Sequence, residues 1–408
     1  MLTVDQARLR LVDLVGVLPP RPTPLADARG LVLAGALRAR RDLPGFDNSA
    51  MDGFAVRAID TSAASEARPA RLALAGEVAA GSVYAGQLQP GTAVRIMTGA
   101  PIPAGADAVV QVERTAMDGD VVLVLDEAQP GGSVRRAGAD VRRGEEALAR
   151  GTWLGAAQLA LLAALGETAP VCHPRPRVAI IATGDELVDP SVEPGPGQLA
   201  DVVGTALPAA VAEAGGEARV IQRARDTEED VRRAFSETRD ADLVVTVGGV
   251  SMGEYDYVRR VIEGDGELDF WRVAMRPGKP LAVGRVGGKP VVGLPGNPVS
   301  ALVAFEVYVL PAMLAMSGRS GWARPRLVCT LTAEASTPVG LRTFLRAMVT
   351  RGEGGPEVTP LGGQGSHQLR DLATANALID VAEETSVVRA GQEVEVILLD
   401  HAVGPSPW

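Results

Sequence analysis

Between Asp242 and Asp256 the chain reads Asp-Leu-Val-Val-Thr-Val-Gly-Gly-Val-Ser-Met-Gly-Glu-Tyr-Asp. The Val-rich run Leu243 to Val247 suits a short strand buried on both faces, as in a parallel sheet. Gly248 and Gly249 remove the side chains at the strand end, and Ser251 offers a hydroxyl to cap a helix. Glu254 to Ile262 predicts that helix, with Tyr257, Val258, Val261 and Ile262 on one face. A strand, two bare glycines and a helix start leave unpaired N–H groups aimed at a ligand, which is chemistry for an anion. The same residues also suit an ordinary tight strand-to-helix turn. Asp256, a carboxylate placed one turn into the helix, tips the reading toward a bound cation beside the anion.

The flanking segments repeat this pattern. Arg177 to Thr183 predicts a buried strand ending in Gly184-Asp185-Glu186, and Ala218 to Gln222 another, followed by Arg223-Ala-Arg-Asp226. Val291 to Leu294 predicts a fourth, followed by Pro295-Gly-Asn-Pro298. There Asn297 suits an N-cap and Pro298 the first position of a long apolar helix. Polar and glycine residues thus follow every strand, where open α/β sheets bind ligands.

The 408 residues are enough for two to four domains, and 46% hydrophobic with 22% charged residues is ordinary for a globular chain. The net charge of −10 argues against nonspecific nucleic-acid binding. Two cysteines, Cys172 and Cys329, with no CxxC, fit a reducing cytoplasm and exclude a thiolate zinc site. His173, His367 and His401 are scattered and form no recognisable metal or triad pattern. Leu154 to Leu165 is read as the longest apolar run and is too short to cross a membrane, and the N-terminus lacks a signal-peptide pattern.

Thr3-Val-Asp-Gln6 has capping-box form, and Val4, Ala7, Leu11, Leu14, Val15 and Leu18 make a helical stripe ending at Pro19-Pro20. That stripe needs a partner, either the predicted helix around Leu159–Leu165 or a second subunit. Residues 27–140 read as a β-rich module with short apolar runs and a hairpin signal at Asp118-Gly119. Three polar clusters interrupt it: Pro44 to Gly53, Met97 to Pro101 leading to Asp107, and Arg135 to Asp140. Such loops are usually turns, but the first places two carboxylates, an amide and a hydroxyl beside Met51 and Phe54. Residues 152–166 predict a helix stopped by Gly166. From Arg326 the alternation predicts a small antiparallel barrel with strands at 327–331, 344–349, 357–361, 377–381 and 393–399.

Taken together, Asp47-Asn-Ser-Ala-Met-Asp-Gly53, Arg95-Ile-Met-Thr-Gly-Ala-Pro101, Thr183-Gly-Asp-Glu-Leu187, Gly248-Gly-Val-Ser251 with Gly253-Glu-Tyr-Asp256, Pro277-Gly-Lys-Pro280 and Gly293 to Ala301 resemble the molybdopterin molybdenumtransferase family, which includes MoeA and the gephyrin E domain. The resemblance covers almost the whole chain in order. It implies an α/β and β multidomain fold: a helical linking and dimerisation region (1–26 with 141–175), a β-rich module (27–140), a MogA-like α/β domain with a mostly parallel sheet (176–320), and a C-terminal β-barrel (324–402). It further implies an elongated homodimer, with the active cleft between the α/β domain of one subunit and the β module of the other. The implied reaction takes adenylylated molybdopterin and molybdate, with Mg²⁺, to molybdenum cofactor and AMP. A molybdopterin adenylyltransferase of MogA/MoaB type is the implied upstream partner, with neither nucleic acid nor membrane involved.

Carried onto this sequence, the family pattern makes Asp52, Thr98 and Glu186 the catalytic candidates and Asp226 and Asp256 the Mg²⁺ ligands. The implied substrate contacts are Arg135, Asp140, Gly248, Gly249, Ser251, Arg272, Arg276, Lys279, Pro295, Gly296, Asn297, Arg346 and Ser366. Oxygen ligands and retained waters suit Mg²⁺. There are departures. Asp201 is followed by Val202 and Val203 where the family shows a hydroxyl and an amide. Arg272 and Arg276 stand where Lys is common in bacterial relatives, exchanging a point charge for a planar fork. Ala139 replaces a Glu before Asp140. These departures suit a diverged paralogue, and a noncatalytic binding or scaffold protein is the competing reading. A third reading uses the α/β domain alone, as in molybdopterin adenylyltransferases and a nicotinamide-nucleotide amidase family, and leaves residues 27–140 unexplained.

Overall fold

A computed structural model describes residues 1–250 and 256–399. Contacts divide the chain into two units, one holding residues 1–21, 30–34 and 171 onward, the other 22–29 and 35–170.

The first unit is built on a six-stranded sheet in the order Glu217–Ala224, Arg177–Thr183, Leu243–Val247, Lys289–Leu294, Ala282–Val286, Gly266–Trp271. The first four strands run parallel and the last two are antiparallel additions. Alternate residues of each strand enter opposite layers. Val178, Ile180, Val245 and Val292 join one apolar core with Val203, Leu207 and the helical run from Val299. Ala179, Ile181 and Val244 join another with Val231, Phe235, Val258, Val261 and Ile262. Burial of both sheet faces is why these strands read as continuous Val-Ile runs.

The N-terminal helix, Val4–Val15, starts with the expected reciprocal Thr3–Gln6 cap. Its partner differs from the expectation. Val4, Ala7 and Leu11 are buried in the first core, against the helix carrying Tyr308 and Met313. The helix Ala156–Leu165 belongs to the other unit. The stripe therefore finds its apolar partner within its own chain and needs no second subunit to cover it.

The run Pro298–Met316, rather than 154–165, is the longest apolar helix among the described residues, and 89% of its most apolar stretch is buried inside the protein. Glu306 breaks its apolarity in the sequence, but Arg324 neutralises that carboxylate through two hydrogen bonds of 2.8 and 3.1 Å. Pro311 lacks the N–H that Val307 would receive, and a π turn over Phe305–Val309 absorbs the mismatch.

Strands Arg326–Leu331, Arg342–Gly352, Gly355–Pro360, Ala377–Val381 and Glu393–Leu398 close into a five-stranded barrel, because Arg342–Gly352 pairs with both 355–360 and 377–381. Leu345, Val349, Val358 and Val396 fill it, while Phe344, Leu378 and Ile397 face the first core. The helix Leu369–Thr374 in this region carries no sequence periodicity strong enough to announce it.

The second unit centres on a six-stranded sheet ordered Ala108–Gln111, Gly53–Val56, Thr92–Ile96, Ala70–Val78, Val121–Val124, Thr115–Asp118. The last two strands form the hairpin signalled by Asp118-Gly119, with Gly119 at φ +60°.

Candidate functional site

The strand order places Arg177–Thr183 between its sequence successor Glu217–Ala224 and the third strand, Leu243–Val247. Connections leave in opposite directions from this point, and a crevice opens outside the carboxyl ends of the strands. A cavity of about 520 Å³ lies there, lined by Thr183, Glu186, Asp201, Asp226, Gly248, Gly249, Val250, Asp256 and Pro295 to Pro298, among others.

Gly248 and Gly249 hold φ of +90° and +63°. A Cβ on Gly248 would stand 2.7 Å from Thr183 Oγ1 and 2.9 Å from its carbonyl oxygen. Only glycine lets the backbone lie this close to the neighbouring strand, and the Gly248 N–H is taken by the Leu294 carbonyl at 3.2 Å. The following helix begins at Tyr257, so Asp256 is its N-cap residue rather than a group one turn inside it. The expected helix start at Glu254 and the Ser251 cap fall on residues 251–255, outside the described residues. Asn297 and Pro298 take the expected N-cap and first helical positions, and the Asn297 side chain makes no cap bond.

The carboxylates set the electrostatics. Glu186, Asp201, Asp226 and Asp256 all line the cavity. Burial pushes the Asp226 pKa up; the Asp185 N–H opposes this, and the negative charges of Asp185 and Glu186 raise it further. Asp185 and Asp226 clasp each other, each N–H reaching the other's carboxylate at 3.4 and 3.3 Å. Asp201 accepts the Gly204 N–H at 2.8 Å and so caps the helix Val203–Glu213. Among the described residues no three His, Cys, Asp or Glu side chains close into a complete metal cage. Carboxylates spread around a polar cavity suit a hydrated hard cation that completes its shell with water and ligand oxygens. Leu187, Leu199, Ala200, Val202, Val203 and Pro280 form an apolar wall of the same cavity.

The remaining candidates are placed elsewhere. Arg272, Arg276 and Lys279 do not line the cavity; of their motif only Pro280 does. Arg276 is exposed on a short strand beside Arg342–Thr343 of the barrel, and Arg272 lies over the Trp271 ring. Arg346, expected as an anion contact, is fully buried at 0% exposure. Its Nη2 donates to the carbonyls of Gly363 and Gly365 at 2.7 and 3.1 Å. Nε and Nη1 are enclosed with no hydrogen-bond partner among the described residues, and burial pushes its pKa down. Arg346 thus anchors the loop that carries half-buried Ser366, and presents no guanidinium to solvent.

In the second unit the three polar clusters converge. Residues 48–49 pair with Val134–Arg135. The Gly99 N–H donates to Ser49 O at 2.8 Å, and that of Ser49 to Ala100 O at 3.0 Å. Gly53 pairs with Ile96 across adjacent strands, which brings Asp52 to Thr98. The Thr98 N–H and hydroxyl both donate to Asp52 Oδ1, at 2.6 and 2.7 Å. The backbone bond first and the hydroxyl second hold the Asp52 pKa below its usual value, keeping it ionised. Arg135 is exposed and donates to Ala50 O at 3.3 Å. Asp140 is exposed, its N–H bonded to Leu43 O.

The sequence does not single out Thr183 or Val250 as site residues, and both line this cavity. Thr183 and Asp201 sit inside motifs that were read, and their approach follows only from the strand order.

The fold and cavity define an α/β chain with a polar crevice at its switch point, accompanied by β modules. Matches to three family models cover it: MoeA N-terminal region (domain I and II) over residues 2–166, probable molybdopterin binding domain over 179–315, and MoeA C-terminal region (domain IV) over 330–399. The chain is 42% identical to molybdopterin molybdenumtransferase 2 of Mycobacterium tuberculosis, covering 97% of this chain and 99% of the relative. It is 35% identical to the molybdopterin molybdenumtransferase of Haemophilus influenzae, over 99% and 100%. A crystal structure of a molybdopterin biosynthesis MoeA protein from Pyrococcus horikoshii superposes with a TM-score of 0.82 at 34% identity, covering 98% of this chain and 99% of that one. The chain belongs to the molybdopterin molybdenumtransferase family, enzymes of molybdenum-cofactor biosynthesis.

Proposed function

We propose that this enzyme takes adenylylated molybdopterin and molybdate, with Mg²⁺, and releases molybdenum cofactor and AMP as the phosphoanhydride is cleaved. The observation that carries the reading is the switch-point cavity, where a bare Gly248-Gly249 turn faces four carboxylates. Gly248 donates to the Leu294 carbonyl, so the Gly249 N–H is the donor of this pair that suits the molybdopterin phosphate. Four carboxylates alone would repel that anion, so a cation belongs between them. Asp226 and Asp256, with Glu186 nearby, are the residues that would hold Mg²⁺, which supplies positive charge to the phosphate oxygens. The apolar wall of Leu187, Leu199 and Val202 suits an organic ring system and excludes water from that side. A cytoplasmic location and an upstream adenylyltransferase of MogA/MoaB type belong to the same reading.

The test is single-turnover AMP release from adenylylated molybdopterin with molybdate, titrated with Mg²⁺. Asp226→Asn is expected to weaken the Mg²⁺ dependence at least about tenfold, on the scale of a lost metal-ligand charge, without unfolding the chain. Unchanged Mg²⁺ activation rejects its metal role.

Asp52→Ala is expected to lower the rate of AMP release on the order of a hundredfold, with little change in substrate affinity, because a positioning group acts most in the transition state. A carboxylate cannot hold molybdate directly, since both are negative, so Asp52 acts through an ordered water or the metal. If Asp52 only braces the turn at Thr98, the variant melts earlier and keeps its turnover.

A homodimer is part of this reading. With the N-terminal stripe already covered, its support is the pair of exposed apolar side chains next to Asp52, Met51 and Val112. An obligate interface of more than about 2,000 Å² is expected, and sedimentation as a monomer at micromolar concentration removes it.

A second reading, a noncatalytic molybdopterin-binding or scaffold paralogue, is favoured by one observation: Val202 and Val203 line the cavity where the family pattern has polar groups. Measured AMP release decides against it.

A further inference from the structure

Trp271 ends the edge strand Gly266–Trp271, opposite Ala282. Its Nε1–H donates to the carbonyl of Val250 at 2.8 Å. Val250 lines the cavity directly after the glycine pair, and its side chain is wedged so close to Gly293 that an added Cβ there would lie 2.6 Å from Cγ1. Two guanidiniums lie over the same indole ring. Arg259, from the first turn of the helix Tyr257–Asp265, stands 3.9 Å from its centroid, and Arg272 stands 4.3 Å from it. Arg259 also donates to Glu263 at 2.8 Å. No carboxylate among the described residues pairs with Arg272, whose backbone holds φ +79°, a left-handed conformation that is costly for a residue with a Cβ.

None of these three side chains lines the cavity, yet they tie together the segments around it. One indole joins the turn at Val250, the start of the helix after Asp256, and the crossover that leads from Arg272 to Pro280. We propose that Trp271 is a positioning residue of this enzyme, fixing the Gly248–Val250 turn for an anionic phosphate ligand through its bond to Val250 and its stacking with Arg259 and Arg272. This rests on the assignment of that turn to the molybdopterin phosphate. Two like charges over one ring repel each other, and the electron-rich ring face offsets that repulsion. Without the indole the guanidiniums part, the Val250 carbonyl loses its donor, and the strained Arg272 backbone loses the contact that holds its side chain.

The test compares Trp271→Phe, which keeps a ring for the cations and loses the Nε1–H donor, with Trp271→Leu, which loses both. KM for adenylylated molybdopterin and kcat are measured separately, with melting temperature alongside. Trp271→Phe is expected to raise KM about threefold and Trp271→Leu about tenfold or more, the scale of one hydrogen bond and of added cation–π contacts, with kcat within about twofold. Arg272→Gln is expected to raise KM in the native background and to add little in the Trp271→Leu background, because the two act as a unit. Unchanged KM in both Trp271 variants overturns the proposal, as does simple multiplication of the Trp271→Leu and Arg272→Gln effects. If Trp271→Leu does not fold, Trp271→Phe decides alone. Calorimetric titration with inorganic pyrophosphate gives a readout independent of turnover. If the wild-type enzyme releases no AMP, the assigned reaction fails; weaker pyrophosphate binding by the Trp271 variants then still supports the positioning role, and equal binding overturns it.

Discussion

Gly248→Ala is expected to lower kcat/KM for adenylylated molybdopterin by about a hundredfold or more, the scale on which an ångström of misplacement in a site acts. The added Cβ meets Thr183 Oγ1 at 2.7 Å and the Thr183 carbonyl at 2.9 Å. Thr183 cannot retreat easily, since its strand is hydrogen-bonded on both sides, to Glu217–Ala224 and to Leu243–Val247. The turn must therefore move, and with it the Gly249 N–H assigned to the phosphate and the Gly248 bond to the Leu294 carbonyl. Gly215→Ala is the control. Gly215 shares the left-handed backbone at φ +82° but has nothing within 4 Å of its added Cβ. It is expected to cost about 1–2 kcal/mol of stability through the same strain and to keep its turnover. Single-turnover AMP release and thermal melting separate the two effects, and a fully active Gly248→Ala removes the assignment of this turn.

Asp380→Ala is expected to destabilise the barrel-bearing unit by about 3–5 kcal/mol, the cost of removing one partner from a buried ionic network. The Asp380 side chain is 2% exposed and binds two arginines. Arg342 reaches it through Nε and Nη2 at 2.7 and 2.8 Å, and Arg326 through Nη1 at 2.9 Å. Arg342 also reaches Asp5 on the N-terminal helix at 2.7 Å. The hydrogen bonds to Asp380, more than any other influence, push the Arg342 pKa above the usual arginine value. Removing Asp380 leaves that largely buried charge with the half-exposed Asp5 as its remaining partner. The double variant Asp380→Leu with Arg342→Met is expected to be less destabilised than Asp380→Ala, because it removes that charge as well. Urea denaturation measures both, and equal loss in single and double variants would falsify the account of a buried ionic hub.

Much of the fold is written in local pattern. The period-two alternation after Arg326 marks the barrel strands, and Ala377–Val381 is found where it was expected. The capping box at Thr3, the Asn297-Pro298 helix start and the Asp118-Gly119 turn are short-range signals whose physics needs only neighbouring residues. The glycine pair behind a Val-rich strand likewise announces a close backbone approach, and Thr183 is what it approaches.

Other features were decided by tertiary structure. An apolar stripe states that the N-terminal helix must be covered, but many surfaces could cover it; the packing of this chain makes it the helix around Tyr308. Arg346 matches a family cleft position that binds anions, and arginine is rarely enclosed without an acid partner. Only the fold shows its guanidinium beneath the Gly363–Gly365 loop. Arg272 belongs to a motif that suggests a ligand contact, and its guanidinium instead lies on the neighbouring indole. The carboxylates Glu186, Asp201, Asp226 and Asp256 are spread along 71 positions of sequence (256 − 186 + 1) and line one cavity. Residue types determine that each follows a strand or precedes a helix. Their meeting depends on parallel crossovers that bring the carboxyl ends of successive strands to one edge of the sheet, a long-range arrangement that no local spacing encodes.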